Sequence, residues 1–225
     1  MGHERERGLP PSAPPESRTA GQLVGEAMRL YGRRFWTAVL LGLPPTVVGV
    51  GLAAFADSGA SRAARLILAV AIGAPALSVS YVGASVIAAQ RRPPARVLFV
   101  AFVAGVLVLI PVPFLATLFV LPALAWFALV GLAVPAAVVE RGELTQSLRR
   151  ALQLARADFV HALGSLAAAV IVVLVSAGVL HYLLVQFGDT AAGVAAFIAV
   201  LLLAPLLLLA AALLYFDQEA RLRAK

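Results

Sequence analysis

Hydrophobic and polar positions along this chain fall into long blocks, not the short alternations of a soluble fold. Apolar blocks run over Phe35–Ala56, Ala63–Gln90, Val97–Val139, Phe159–Val185 and Ala191–Phe216. About 20 apolar residues carry an α-helix across a hydrocarbon core about 30 Å thick, and only a helix satisfies its own backbone polar groups there. The third block has no charge and is too long for one crossing, so the pattern predicts six crossings in all. Pro111 and Pro113 mark the expected turn inside it, with Pro122 as the alternative break. Pro44 and Pro45 should kink or break the first crossing.

Two polar segments carry a helical period instead. From Thr19, the residues Leu23, Val24, Ala27, Met28 and Tyr31 share one side, against Gln22, Glu26, Arg29 and Arg33 on the other. In residues 140–158 an apolar stripe of Leu144, Leu148, Ala151, Leu152 and Ala155 opposes Gln146, Arg149, Arg150, Gln153 and Arg156. Both read as amphipathic helices lying along the membrane surface. Thr19 with Gln22 fits a capping box, and Asp158 is placed to cap the fifth crossing. Residues 1–18, with four prolines and little to bury, read as a disordered tail, and residues 217–225 as a charged tail. No secretory signal pattern precedes the first crossing, which is therefore expected in the mature protein.

Charge adds orientation. With the N-terminus in the cytoplasm, 16 basic residues lie in inside segments, against Arg62 and Arg65 outside. That bias predicts both termini in the cytoplasm. The net charge of +7 is therefore topological and does not point to nucleic acid, because the arginines punctuate apolar runs instead of lining one solvated face. Composition agrees: 62% hydrophobic and 13% charged residues lie outside the globular norm. Arginine outnumbers lysine as in GC-rich bacterial genomes, so the inner membrane of a bacterium is expected. The absence of cysteine excludes disulfides and thiol chemistry.

Candidate chemistry is sparse. Apart from Arg65 at the outer end of the second, no charged residue falls inside a predicted crossing, which argues against a proton relay. His161 and His181 are separated by 20 residues of helix, about 30 Å, and cannot share a metal. Ser78, Ser80, Tyr81, Ser85, Ser165 and Ser176 could line a pore or act as nucleophiles, but no base is expected within reach of a serine, and helix packing is the ordinary role. No catalytic, cofactor-binding or metal-ligating residue is expected. Glu140, Glu143, Asp158, Asp217 and Glu219 should form a salt-bridged collar with nearby arginines. Arg29, Arg33, Arg149, Arg150 and Arg156 are the candidate contacts for anionic lipid head groups or for another membrane or cytoplasmic protein. An offset of 124 residues also aligns Ala27 with Ala151, Leu30 with Leu154, Phe35 with Phe159 and Ala38 with Ala162.

Three segments together carry a resemblance: Gly25–Trp36, Glu140–Arg156 with its Leu-Thr-Gln-Ser-Leu-Arg-Arg core at 144–150, and Leu213–Asp217. They resemble the membrane domain of bacterial glycerophosphoryl diester phosphodiesterases and its stand-alone relatives. In the fused enzymes the chemistry belongs to a separate soluble barrel, so the resemblance implies a membrane module without catalytic residues. The expected protein is an all-α bundle of six crossings and two cytoplasmic-side amphipathic helices, acting as a scaffold or accessory subunit in envelope or lipid handling. A transporter or channel for a small or lipidic substrate is the alternative.

Overall fold

The computed structural model describes residues 18–224, and these are helical almost throughout. The expected tail at residues 1–17 lies outside the described residues. The first amphipathic helix is α1 (Ala20–Arg33), which opens on the capping box: Gln22 N–H donates to the Thr19 hydroxyl, and Gln22 Oε1 accepts from Thr19 N–H. Six helical stretches are long and apolar enough to cross a membrane: Phe35–Asp57, Arg62–Ala89, Ala95–Leu118, Val120–Glu140, Phe159–Val185 and Thr190–Arg223. The second amphipathic helix, α10 (Leu144–Ala157), lies between the fourth and fifth.

Prolines decide where the crossings break. A first-turn amide has no intrahelical partner, so proline costs little there. Pro44 and Pro45 open α3 (Leu43–Asp57) after the short α2 (Phe35–Leu40), which is the expected break in the first crossing. The second crossing starts as α4 (Arg62–Leu68), widens into a π-helical turn at Ala69–Gly73, and resumes as α5 (Ala74–Ala89) with Pro75 in its first turn. The third crossing joins α6 (Ala95–Leu109) to α7 (Val112–Leu118), and the fourth joins α8 (Val120–Val130) to α9 (Ala133–Glu140).

The turn between the third and fourth crossings corrects the sequence expectation. Pro111 and Pro113 only interrupt the helix, which continues to Leu118. The reversal is at Phe119, whose backbone is extended (φ −163°, ψ 159°), three residues before Pro122. Pro113 fits the first turn of α7, whereas Pro122 cannot supply an amide to Leu118 and would crowd its carbonyl, so the helix must restart there.

Among the described residues only Pro205 lies beyond the first turn of its helix, in α12 (Asp189–Arg223), which follows the unbroken α11 (Phe159–Val185). The missing amide at Pro205 leaves the Leu201 carbonyl without its usual helical donor. Gly42, at the break of the first crossing, packs directly on that carbonyl, and any Cβ there would collide with it.

The amphipathic helices depart from expectation. Their apolar faces are turned into the protein: Leu23, Val24, Ala27 and Leu30 of α1 are buried, as are Ala151, Leu154 and Ala155 of α10. α1 packs on α11 and α12, and α10 on α8, α9 and α12. The apolar stripes thus close one end of the bundle, with Met28 and Leu152 left outside. The borders of α1 and α10 are themselves offset by 124 residues, as are the starts of the crossings that follow them.

Candidate functional site

The second correction sets up the site. Residues 217–223, expected as a tail, are the last turns of α12. That helix has 35 residues and is about 52 Å long, well beyond a hydrocarbon core of about 30 Å. Helical spacing carries its buried stripe from Leu209, Leu213 and Leu214 on to Asp217, Gln218 and Arg221. Asp217 and Gln218 are completely buried. Charge here is inside the fold, and it is paired, as burial requires.

Asp217 Oδ1 lies 3.1 Å from Arg18 Nη1. Arg221 ties the same corner together: one guanidinium nitrogen is 3.3 Å from Asp158 Oδ2, and another donates to the Arg18 carbonyl at 2.8 Å. Gln218 Nε2 donates to the Asp158 carbonyl, while Asp158 Oδ1 caps α11 by accepting from His161 N–H, as the sequence suggests. Asp217 Oδ2, Gln218 Oε1 and Arg221 Nε are buried without a hydrogen-bond partner.

A second wing leaves α12 from its neighbouring face. Tyr215 Oη donates to Glu140 Oε1 at 2.8 Å, and Arg150 Nε donates to the same oxygen at 2.7 Å. Glu219 lies 3.8 Å from Arg150 and accepts from Arg223 at 2.6 Å. Burial works against the Arg150 charge, but Glu140 outweighs it and holds the guanidinium above its ordinary range. The expected collar is therefore present. Glu140, Asp158, Asp217 and Glu219 take part in it, Glu143 is in no ion pair among the described residues, and Arg18 is a member the sequence reading did not assign.

Of the five arginines expected to face lipid or a partner, Arg33, Arg149 and Arg156 are exposed and in no ion pair among the described residues. Arg29 is half-buried, 3.5 Å from Glu26. Arg150 is half-buried as well, and its guanidinium is engaged by Glu140 and Glu219.

His161 corrects another expectation. Its Nε2 lies 3.4 Å from Ser165 Oγ and 3.9 Å from Asp217 Oδ2, so a base does stand beside a membrane serine, one helical turn away. A serine–histidine–aspartate relay needs serine and aspartate on opposite ring nitrogens, whereas here both approach the same one. Ser165 is also fully buried. His181 and Tyr182 are exposed at the far end of α11. Of the other hydroxyls, Ser78 and Tyr81 bridge helices, whereas Ser80 is buried without a hydrogen-bond partner. Ser78 donates to the Phe102 carbonyl and packs on Gly105, Ser85 donates back to the Tyr81 carbonyl, and Ser176 is exposed. Among the described residues no three His, Asp or Glu side chains converge as a metal site would require.

Six apolar crossings, closed at one end by paired charge, define a multi-pass integral membrane protein. Comparisons with models of known protein families, with curated proteins and with solved structures return no match.

Proposed function

We propose that this protein is a non-catalytic scaffold or accessory subunit of the bacterial inner membrane, with both termini in the cytoplasm, in envelope or lipid handling. The observation that carries the reading is the closed end of the bundle. α1, α10 and the last turns of α12 form a cross-braced platform there, whose internal charges are paired and whose Arg33, Arg149 and Arg156 point outward unpaired. Such arginines attract anionic head groups by about 1 kcal/mol each and offer a docking surface to a membrane or cytoplasmic protein. The three segments that resemble the membrane domain of glycerophosphoryl diester phosphodiesterases all belong to this end, which favours lipid or envelope work.

Photoreactive residues at Arg33 and Arg149 test the scaffold reading, and Arg150 is unsuitable because its guanidinium braces Glu140 and Glu219. Capture of one defined protein in native membranes supports it. Solute movement by the reconstituted protein alone would instead favour a carrier, the reading that the broken first and fourth crossings suggest. Orientation has its own test, since the chain has no cysteine. Gly59→Cys should react with an impermeant maleimide in intact cells, and Arg92→Cys only after the membrane is opened.

A further inference from the structure

Where α1 gives way to the first crossing, a recess of about 220 Å³ opens between the end of α1 and the middle of α12. Its walls are Met28, Tyr31, Phe35, Leu202, Leu203 and Leu206. A cavity of about 150 Å³ lined by aliphatic and aromatic groups already holds a benzene-sized molecule, so this one has room for a length of hydrocarbon chain. The Tyr31 and Phe35 rings meet edge to face at 5.7 Å, which fixes the wall on the α1 side.

Three features give the recess a direction. The Tyr31 hydroxyl is buried and has no hydrogen-bond partner, an expense that a wall residue bears without return unless an acceptor arrives. Burial also raises its pKa, so it remains a donor at neutral pH. Between the two wall residues Tyr31 and Phe35, the chain carries Arg33 and Arg34, both exposed and in no ion pair among the described residues. Apolar wall, neutral donor and two adjacent exposed cations thus combine the chemistries that acyl chain, ester carbonyl and phosphate of a phospholipid require.

We propose that this recess binds one anionic phospholipid, with an acyl chain against Leu202, Leu203 and Leu206, an ester carbonyl accepting from Tyr31, and the phosphate beside Arg33 and Arg34. The assignment rests on the reading that the α1 end of the bundle lies at the head-group level. It adds to general basic attraction a single stereospecific site.

Native mass spectrometry of the full chain in detergent, titrated with phosphatidylglycerol, tests it. Wild type should retain one lipid markedly more tightly than any further ones. Tyr31→Phe keeps the apolar wall and removes the donor, and should weaken that first lipid about three- to tenfold. Leu202→Trp, placed at the exposed rim to fill the recess, should abolish the tight adduct. Arg149→Gln/Arg156→Gln reads the general attraction of α10 separately: loss of the weaker adducts with the tight one retained supports a distinct site. Wild-type binding by Tyr31→Phe and Leu202→Trp, both melting as wild type does, would overturn the site and leave the reading of the basic platform standing. Loss of all adducts in the α10 variant would overturn it as well, by reducing the binding to bulk charge.

Discussion

Tyr81 allows a quantitative test of how the broken crossings are held. Pro135 has no amide, so the Gly131 carbonyl, four residues before it, lacks its helical donor. The backbone stays right-handed through Gly131 (φ −58°, ψ −31°) and Leu132 (φ −64°, ψ −7°), and the only local bond the carbonyl accepts among the described residues, from Val134 N–H, is long at 3.4 Å. Tyr81 of the second crossing supplies the bond instead, its hydroxyl 3.0 Å from the Gly131 oxygen and its ring fully buried beside Phe127. Tyr81→Phe leaves that carbonyl only the long bond from Val134 N–H. The general cost is about 1–3 kcal/mol. Interhelical hydrogen bonds in bilayers average about 0.6 kcal/mol and reach about 1.7. A loss near 1–1.5 kcal/mol is expected, at about 2–4 °C of melting temperature per kcal/mol for a chain of this size. Pro135→Ala returns an amide facing the same oxygen, so the double variant should recover most of the loss. Reversible unfolding in mixed micelles over the four-member cycle measures the coupling. Additive effects of the two substitutions would refute the assignment of Tyr81 as the surrogate donor.

Asp217→Ala should cost about 3–5 kcal/mol by breaking its buried ion pair with Arg18, and Asp217→Asn distinctly less, measured as melting temperatures in detergent. Gly42→Val should lower stability by about 1–3 kcal/mol, because its side chain meets the Leu201 backbone; unchanged melting would show that the two breaks do not touch. Arg150→Ala should cost about 1 kcal/mol and Arg149→Ala no more than about 0.5, a contrast that separates the ion-paired arginine from the exposed one.

Much of this architecture could be read from the chain because its causes are local. The six crossings follow from uninterrupted apolar length, and the Thr19 and Asp158 caps from side chains that reach their own backbone. The Pro44–Pro45 break follows from a missing amide. What escaped depends on docking. Hydropathy ends the last crossing at Phe216, since it sees Asp217 as polar, yet the arrival of Arg18 and the adjacent α11 make that position an interior one. Arg150 and Arg149 are equivalent by composition and differ only because Glu140 faces one of them. His161 and Ser165 stand four apart, and that spacing was a usable local signal for a contact the sequence reading dismissed. The reversal at Phe119 was ambiguous among Pro111, Pro113 and Pro122, because a first-turn proline and a helix-ending one look alike until the next turn is placed.

The position of α12 sets the order in which this protein can be built. It touches α1, α2, α3, α5, α9, α10 and α11, while the first and fifth crossings show most of their surface to the surroundings. It is also the last of the described helices to leave the ribosome. At about 5–20 residues per second, its 35 residues take roughly 2–7 s. Throughout that interval the earlier crossings sit in the bilayer without the element that joins them, and the bonds of Asp217 to Arg18 and of Tyr215 to Glu140 are still to form. Assembly is therefore a closing event timed by translation. A pause or truncation inside α12 would leave inserted but unassembled helices, the state that membrane quality control degrades.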